Sequence, residues 1–200
     1  MTMFQPLPVG EWPQEMHTAM AAMSPPNPRH PRPKHDGRPK ALNILGVLAH
    51  HPALAQAFFT FNGHNLRTTT LSERERELLV LRTAAVRQSS YEWAQHVVMA
   101  HDVGIDNDEL SWIAWGPDAP AWSAHEAALL RAVDELIECG AIRPETLAVL
   151  SESFDIQQIL DVMFTVGAYE TLGWMLKSFG VELDEDIRSW LNHPPEANRR

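Results

Sequence analysis

An all-α fold follows from three features of the sequence. Ser or Asp residues are followed three positions later by Glu or Gln, glycines stand where apolar runs stop, and no segment alternates apolar and polar residues between turn signals. Ala41 to Ala49 and Pro52 to Asn62 are short apolar segments, and Pro52 suits a first helical turn. Ser72 with Glu75 forms a capping box that opens a helix running to about Arg87. Ser89 or Ser90 caps the next helix, which Gly104 stops. Ser123 with Glu126 opens a helix that Gly140 closes, and Pro144 starts a short one. Asp155 with Gln158 opens the longest, which ends at Gly180.

Residues 1–40 read differently. Nine of the 15 prolines fall there, among them Pro25, Pro26, Pro28, Pro31, Pro33 and Pro39. Proline removes hydrogen-bond donors and fixes φ, so the segment is expected to be an arm with one short helical turn around Gln14 to Met23. Residues 41–192 then form one helical domain, and 193–200 a frayed tail. A chain of 200 residues is long enough for one such core and short for two.

Composition narrows the partners. A net charge of -10 argues against nucleic acid, whose phosphates call for a concentrated cationic footprint. No stretch approaches the roughly 20 apolar residues that cross a bilayer, and the start, MTMFQPLPVGEWP, has no secretory pattern. The expected location is the cytoplasm. Cys139 is the single cysteine, which excludes an intramolecular disulfide, a two-thiol redox centre and a thiolate zinc cage.

The helix from Tyr91 to Val103 carries the chemistry. At 100° per residue, Glu92 and His96 face one way beside Met99 and Val103, on a helix apolar almost all round, with Gln95 expected in water. A buried carboxylate and imidazole must satisfy one another or some third group. Glu77 lies in line with Leu81 and Ala84 on the preceding helix, while Arg74 and Glu75 should lie outside. His50-His51 reads as a helix C-terminus that favours cationic side chains. The Trp112, Trp115 and Trp122 cluster pins a loop or makes a subunit contact.

The run LSERERELLVLRTAAVRQSSYEWAQHVVMAHDVGI resembles the core hairpin of the carboxymuconolactone decarboxylase and alkylhydroperoxidase D superfamily. The segment QQILDVMFTVGAYETLGWMLKSFGVEL is similar to the C-terminal helix of a branch with YEW and a following histidine. The resemblance implies an alkylhydroperoxidase D-like helical bundle and a homo-oligomer, dimer or trimer-based. In the peroxidase branch a glutamate, two cysteines and a histidine form the site. That spacing falls here on Glu77, on Ser89 and Glu92 in place of the cysteines, and on His96.

What the resemblance then implies is acid–base chemistry without metal or cofactor. His96 is the expected proton carrier, with Glu77 and Glu92 tuning it. Ser89 is expected to hold water or substrate, with Tyr91 beside it, and Arg82 or Arg87 to meet a substrate carboxylate. The favoured function is a decarboxylase-like lyase or an isomerase acting on a small carboxylated or lactone-like molecule. The alternative is a non-catalytic helical oligomer or small-ligand binding module.

Thiol peroxidase turnover needs a thiolate and a resolving thiol. With Ser at 89 and Glu at 92, the purified protein should reduce peroxides no faster than free-thiol controls. Robust turnover that survives Cys139→Ser would overturn this placement of the motif.

Overall fold

The computed structural model describes residues 5–30 and 39–192, and among them there are helices and no strand. Residues 1–4 and 31–38 of the expected arm, and the expected tail, 193–200, lie outside the described residues. The chain divides into two compact units. Among the described residues one unit holds 5–30, 39–69 and 175–192, and the other holds 70–174.

In the first unit, α1 (Gln14–Ala21) packs on α3 (Pro52–Arg67), and α2 (Leu42–Leu48) packs on α3 as well. Trp12, Met16 and Ala19 of the N-terminal segment are buried with Leu48, Ala55 and Phe59. The close approach is built on glycine. A Cβ at Gly46 would stand 2.6 Å from the Leu7 carbonyl oxygen, and one at Gly63 would stand 2.8 Å from that of Ala22. Leu7 N–H donates to the Gly46 carbonyl at 3.1 Å, and His30 N–H to that of Arg67 at 2.9 Å. Residues 5–30 of the segment read as an arm are therefore seated on helices of their own chain. His51 does not end a helix as expected. Its Nδ1 accepts from Leu54 N–H at 3.4 Å, capping the start of α3. The last helix, α10 (Glu185–Asn192), went unread in the sequence.

In the second unit α4 (Glu73–Arg87) is central and touches α5 (Ser90–Asp102), α6 (Asn107–Trp115) and α7 (Ala124–Cys139). Six successive side chains, Arg76 through Leu81, are buried. That run suits a helix covered on several sides rather than one presenting a single apolar stripe. The capping boxes expected at Ser72 and Ser123 are both formed, and a third at Asp106 with Glu109 was not foreseen. Asp155 accepts from the N–H of Gln158 at 3.0 Å and opens α9 (Ile156–Phe179). Leu71, Leu79, Leu129, Val133, Leu150 and Val162 form a core shared by α4, α7, α8 (Pro144–Ser151) and α9.

Arg82 locks α6 and α7 to α4. Its Nε and Nη2 donate to Asp134 at 2.7 and 2.8 Å, and Nη1 donates to the carbonyls of Ile113 and Ala114 at 2.9 and 3.0 Å. The guanidinium thus satisfies carbonyls in the last turn of α6, where a cation is favoured. The glycine that follows, Gly116 at φ 128, leaves room for it.

Gly46→Ala should force the Leu7 backbone outward and destabilise the fold by roughly 1–3 kcal/mol, the usual cost of overpacking. Urea unfolding and proteolytic nicking within residues 5–30 both read this out. An unchanged midpoint and an unchanged cleavage rate would contradict the contact.

Candidate functional site

The α4–α5 connection sets the site. Gln88 ends α4 in the left-handed region, at φ 53, an uncommon conformation for a residue with a Cβ. Ser89 N–H then reaches back to the Ala84 carbonyl at 2.8 Å. So tight a reversal starts α5 at once and turns the Ser89 side chain inward, where it is buried. Ser89 occupies the N-cap position, but its hydroxyl makes no cap hydrogen bond, contrary to the capping role expected of it.

Glu77 and His96 meet across this hairpin. His96 Nδ1 and Glu77 Oε2 are 2.7 Å apart, with Glu77 fully buried and His96 5% exposed. The other oxygen, Oε1, accepts from Arg76 Nε at 3.2 Å and Nη2 at 3.0 Å. Burial alone would raise the Glu77 pKa, but His96 and Arg76 outweigh it and hold the carboxyl below its ordinary value. An ionised Glu77 requires the proton on His96 Nδ1 to donate. Nε2 is then the nitrogen left for other work, and it has no partner among the described residues. Of the two ways the sequence left for satisfying the buried imidazole, the third group holds. The imidazole is engaged by Glu77 from the neighbouring helix.

Glu92 is in the opposite condition. It is 4% exposed, and neither of its oxygens has a hydrogen-bond partner among the described residues. Desolvation raises its pKa from the ordinary 4.5 to about 7, with repulsion from Glu170 adding to the rise. Ser89 is near enough to work against that rise without reaching hydrogen-bond geometry, and its Oγ is buried and unpartnered too. Two adjacent buried polar groups with nothing to bond are costly in a folded chain unless something else engages them.

Helix α9 forms the facing wall. Tyr169 stands edge-on to His96, with ring centroids 4.9 Å apart and planes at 87°. One turn on, a Cβ at Gly173 would lie 3.0 Å from Glu92 Oε2. The two contacts set an antiparallel register in which Glu92 faces Gly173 and His96 faces Tyr169. Glu170, beside them, holds Arg87 through two hydrogen bonds, the one from Nη2 to Oε2 at 2.7 Å.

The expected residues therefore separate. Glu77, His96, Glu92 and Ser89 lie on the α4–α5 hairpin around one buried region, and Tyr91 is buried in the first turn of α5. Arg82 does not belong with them. Asp134 and two backbone carbonyls occupy it, so a structural role replaces the substrate contact expected of it. Arg87 is likewise committed, to Glu170. Gln95, expected in water, is buried, and Arg74 is bridged to Glu109 and Glu126 rather than free. Arg76, Tyr169 and Gly173 went unread. The one sequence signal was the Tyr-Glu pair at 169–170, which echoes Tyr91-Glu92 ahead of a glycine that ends each helix.

The raised Glu92 pKa has a stability consequence of definite sign. A carboxyl whose folded pKa lies above its unfolded value contributes stability below about 4.5, and this is lost as pH rises towards about 7. Glu77 acts oppositely, contributing above the ordinary carboxyl pKa and losing it as pH falls through its lowered value. Glu92→Gln should therefore match wild type in acid and exceed it above neutrality by on the order of 3 kcal/mol. Thermal unfolding followed across pH tests this, and parallel curves for the two proteins would refute it.

Residues 52–135 match the model of the carboxymuconolactone decarboxylase family. No curated protein sequence matches the chain. Among solved structures, the debrominase Bmp8 in complex with 2,3,4-tribromopyrrole is similar at TM-score 0.75 and 12% identity, over 96% of this chain and 97% of that one. An uncharacterized peroxidase-related protein from Ralstonia eutropha with an alkylhydroperoxidase AhpD core gives 0.65 and 19%, over 82% and 96%. A peroxidase-related protein from a Silicibacter species gives 0.66 and 15%, over 82% and 95%. At these identities the structures speak for the fold, and the family match covers 84 of the 200 residues. The stretch 52–135 thus resembles the carboxymuconolactone decarboxylase family, and the fold is that of AhpD-like helical proteins.

Proposed function

We propose that the protein is a cofactor-independent lyase or isomerase that moves a proton on a small carboxylated or lactone-like molecule. The observation that supports this most is the contrast between two buried carboxyl groups. Glu77 is held as the anion by His96 and Arg76, while Glu92 has no partner and a pKa of about 7. Paired titratable groups pushed apart in this way divide the acid and base roles.

In an isomerisation, His96 Nε2 takes a proton from the carbon next to a carbonyl. The C–H electron pair delocalises onto the carbonyl oxygen, and protonated Glu92 donates to that oxygen or to the remote carbon of the extended enolate. The proton on His96 then returns Glu92 to its acid form. In a decarboxylation, His96 Nε2 first takes the proton of the substrate's carboxylic acid, the electron pair of the breaking C–C bond then takes the same path as carbon dioxide leaves, and His96 returns that proton to carbon. Glu77 stabilises the imidazolium in either case and need not itself be protonated. Ser89 would fix the substrate oxygen. The debrominase of this fold holds a small heteroaromatic ring, which is consistent with a ligand of that size here.

Assembly into a homo-oligomer is part of the same proposal. Ile156, Leu160, Phe164 and Trp174 are 46–71% exposed along one face of α9. An apolar stripe of this kind favours burial between subunits. Light scattering at micromolar concentration should give a dimer or a trimer-based species, and a monomer would contradict the proposal.

His96→Gln keeps the size and hydrogen-bonding capacity of the side chain and removes proton exchange near neutrality. That variant should fold normally and lose turnover by about 10²-fold or more on any lactone or keto acid that wild type converts, the usual share of a positioned acid–base group. An active, stable Gln variant would favour the other reading, a binding module that retains the pair for packing.

A further inference from the structure

We propose that Ser153, His125 and Glu75 form a second reactive site, at which the serine hydroxyl takes an acyl group from activated esters such as aryl acetates. This site shares no residue with the Glu77–His96 pair, and it stands or falls independently of the function proposed there.

Three parts of the second unit supply it. Glu75 lies in the first turn of α4, His125 in the first turn of α7, and Ser153 in the turn between α8 and α9. His125 Nε2 and Glu75 Oε1 are 3.0 Å apart, and Ser153 Oγ and His125 Nδ1 are 3.1 Å apart. A carboxylate can only accept, so the imidazole proton stands on Nε2 and Nδ1 keeps its lone pair. The Ser153 hydroxyl then donates to Nδ1. The three side chains are a nucleophile, its base and the group that orients the base. The two ring nitrogens exchange places relative to a Ser-His-Asp triad, and each task is still filled. Further contacts hold the relay in line. Glu75 Oε2 accepts from Ser72 N–H at 2.7 Å in the α4 capping box, which fixes the carboxylate. The His125 ring stands edge-on to Phe154, with centroids 4.6 Å apart and planes at 80°.

The relay is open to solvent, which sets the class of substrate. Ser153 is exposed, and the side chains of His125 and Glu75 are 28% and 21% exposed. An ester reaches the hydroxyl without a preformed cavity, and water answers the charge that develops on its carbonyl oxygen. A positioned base supplies about 10²–10⁴-fold, whereas the roughly 10²–10³-fold that a water-excluded oxyanion donor adds is lost at an open site. Esters with a phenolate leaving group need that help least. In the step itself the Oγ–C bond forms as the Ser153 proton passes to His125 Nδ1 and the carbonyl π pair moves onto oxygen. That pair then returns, the bond to the phenolic oxygen breaks, and the leaving group takes the proton from Nδ1. Glu75 stabilises the imidazolium in between and keeps its charge. Ser153 is left as its acetyl ester.

The test treats the full chain with p-nitrophenyl acetate, quenches in acid at short times, and locates the acetyl group by peptide mass spectrometry. Wild type should carry acetyl on Ser153, and Ser153→Ala should lose the matching fast phase of p-nitrophenol release. His125→Gln should slow acetylation of Ser153 by about 10²-fold or more, the share of a positioned base. Glu75→Gln keeps an oxygen for the Ser72 cap and removes the charge behind the imidazole. It should slow the reaction by about tenfold or more while the thermal midpoint stays near that of wild type. A merely structural Glu75 would move the midpoint and not the rate. Should His125→Gln fail to fold, the Glu75→Gln arm reads the same dependence. No acetyl on Ser153 in wild type, acetyl on lysines alone, or acetylation of Ser153 at the wild-type rate in the folded variants would overturn the proposal.

Discussion

The hydrogen bond between Glu77 and His96 organises the second unit of the protein, because together with Arg76 it makes a fully buried carboxylate tolerable. One oxygen of Glu77 goes to His96 and the other to Arg76. Removing either partner would leave an uncompensated charge in the interior, where such breaks are among the most costly. The bond also fixes the register of the α4–α5 hairpin, the tautomer of the imidazole and the direction of its second nitrogen. Tyr169, edge-on to the ring, limits how far it can turn. What looks like an isolated ion pair therefore fixes where the second imidazole nitrogen points.

Glu92 shows what happens one turn away when the same residue type has no such answer. It shares α5 with His96, is nearly as buried as Glu77, and has no basic partner. Its neighbours make matters worse, since Glu170 repels it and Glu170's own charge is spent on Arg87. The side chain responds by holding its proton up to about neutral pH. The same hairpin thus pushes the pKa values of two buried carboxyls in opposite directions.

Much of this was legible in the sequence because local rules were in force. Capping boxes and terminal glycines marked the helices, and the near-continuous apolar surroundings of Glu92 and His96 marked them as buried. Which of Glu77 and Glu92 engages His96 was not legible. Helical spacing placed Glu92 beside it at i and i+4, whereas the turn at Gln88 and Ser89 brings Glu77 across from another helix. Arg82 misled for a related reason: an arginine near a site looks like a ligand until its tertiary partners are known, and Asp134 lies 52 positions away. Tyr169 and Gly173 sit on a helix more than 70 residues downstream of His96, so only the three-dimensional register reveals them. Residues 5–30 looked like an arm because proline content describes local backbone and not the surface the backbone lands on.

The division of labour between the two carboxyls can be measured directly. Carboxyl carbons labelled with ¹³C in glutamate, assigned through Glu77→Gln and Glu92→Gln, give each group its own titration curve. One resonance should titrate near neutrality and vanish in Glu92→Gln, as a pKa of about 7 requires. The other should remain ionised well below the ordinary carboxyl range and vanish in Glu77→Gln. Two buried glutamates titrating together in the ordinary carboxylate range would contradict the account at its centre.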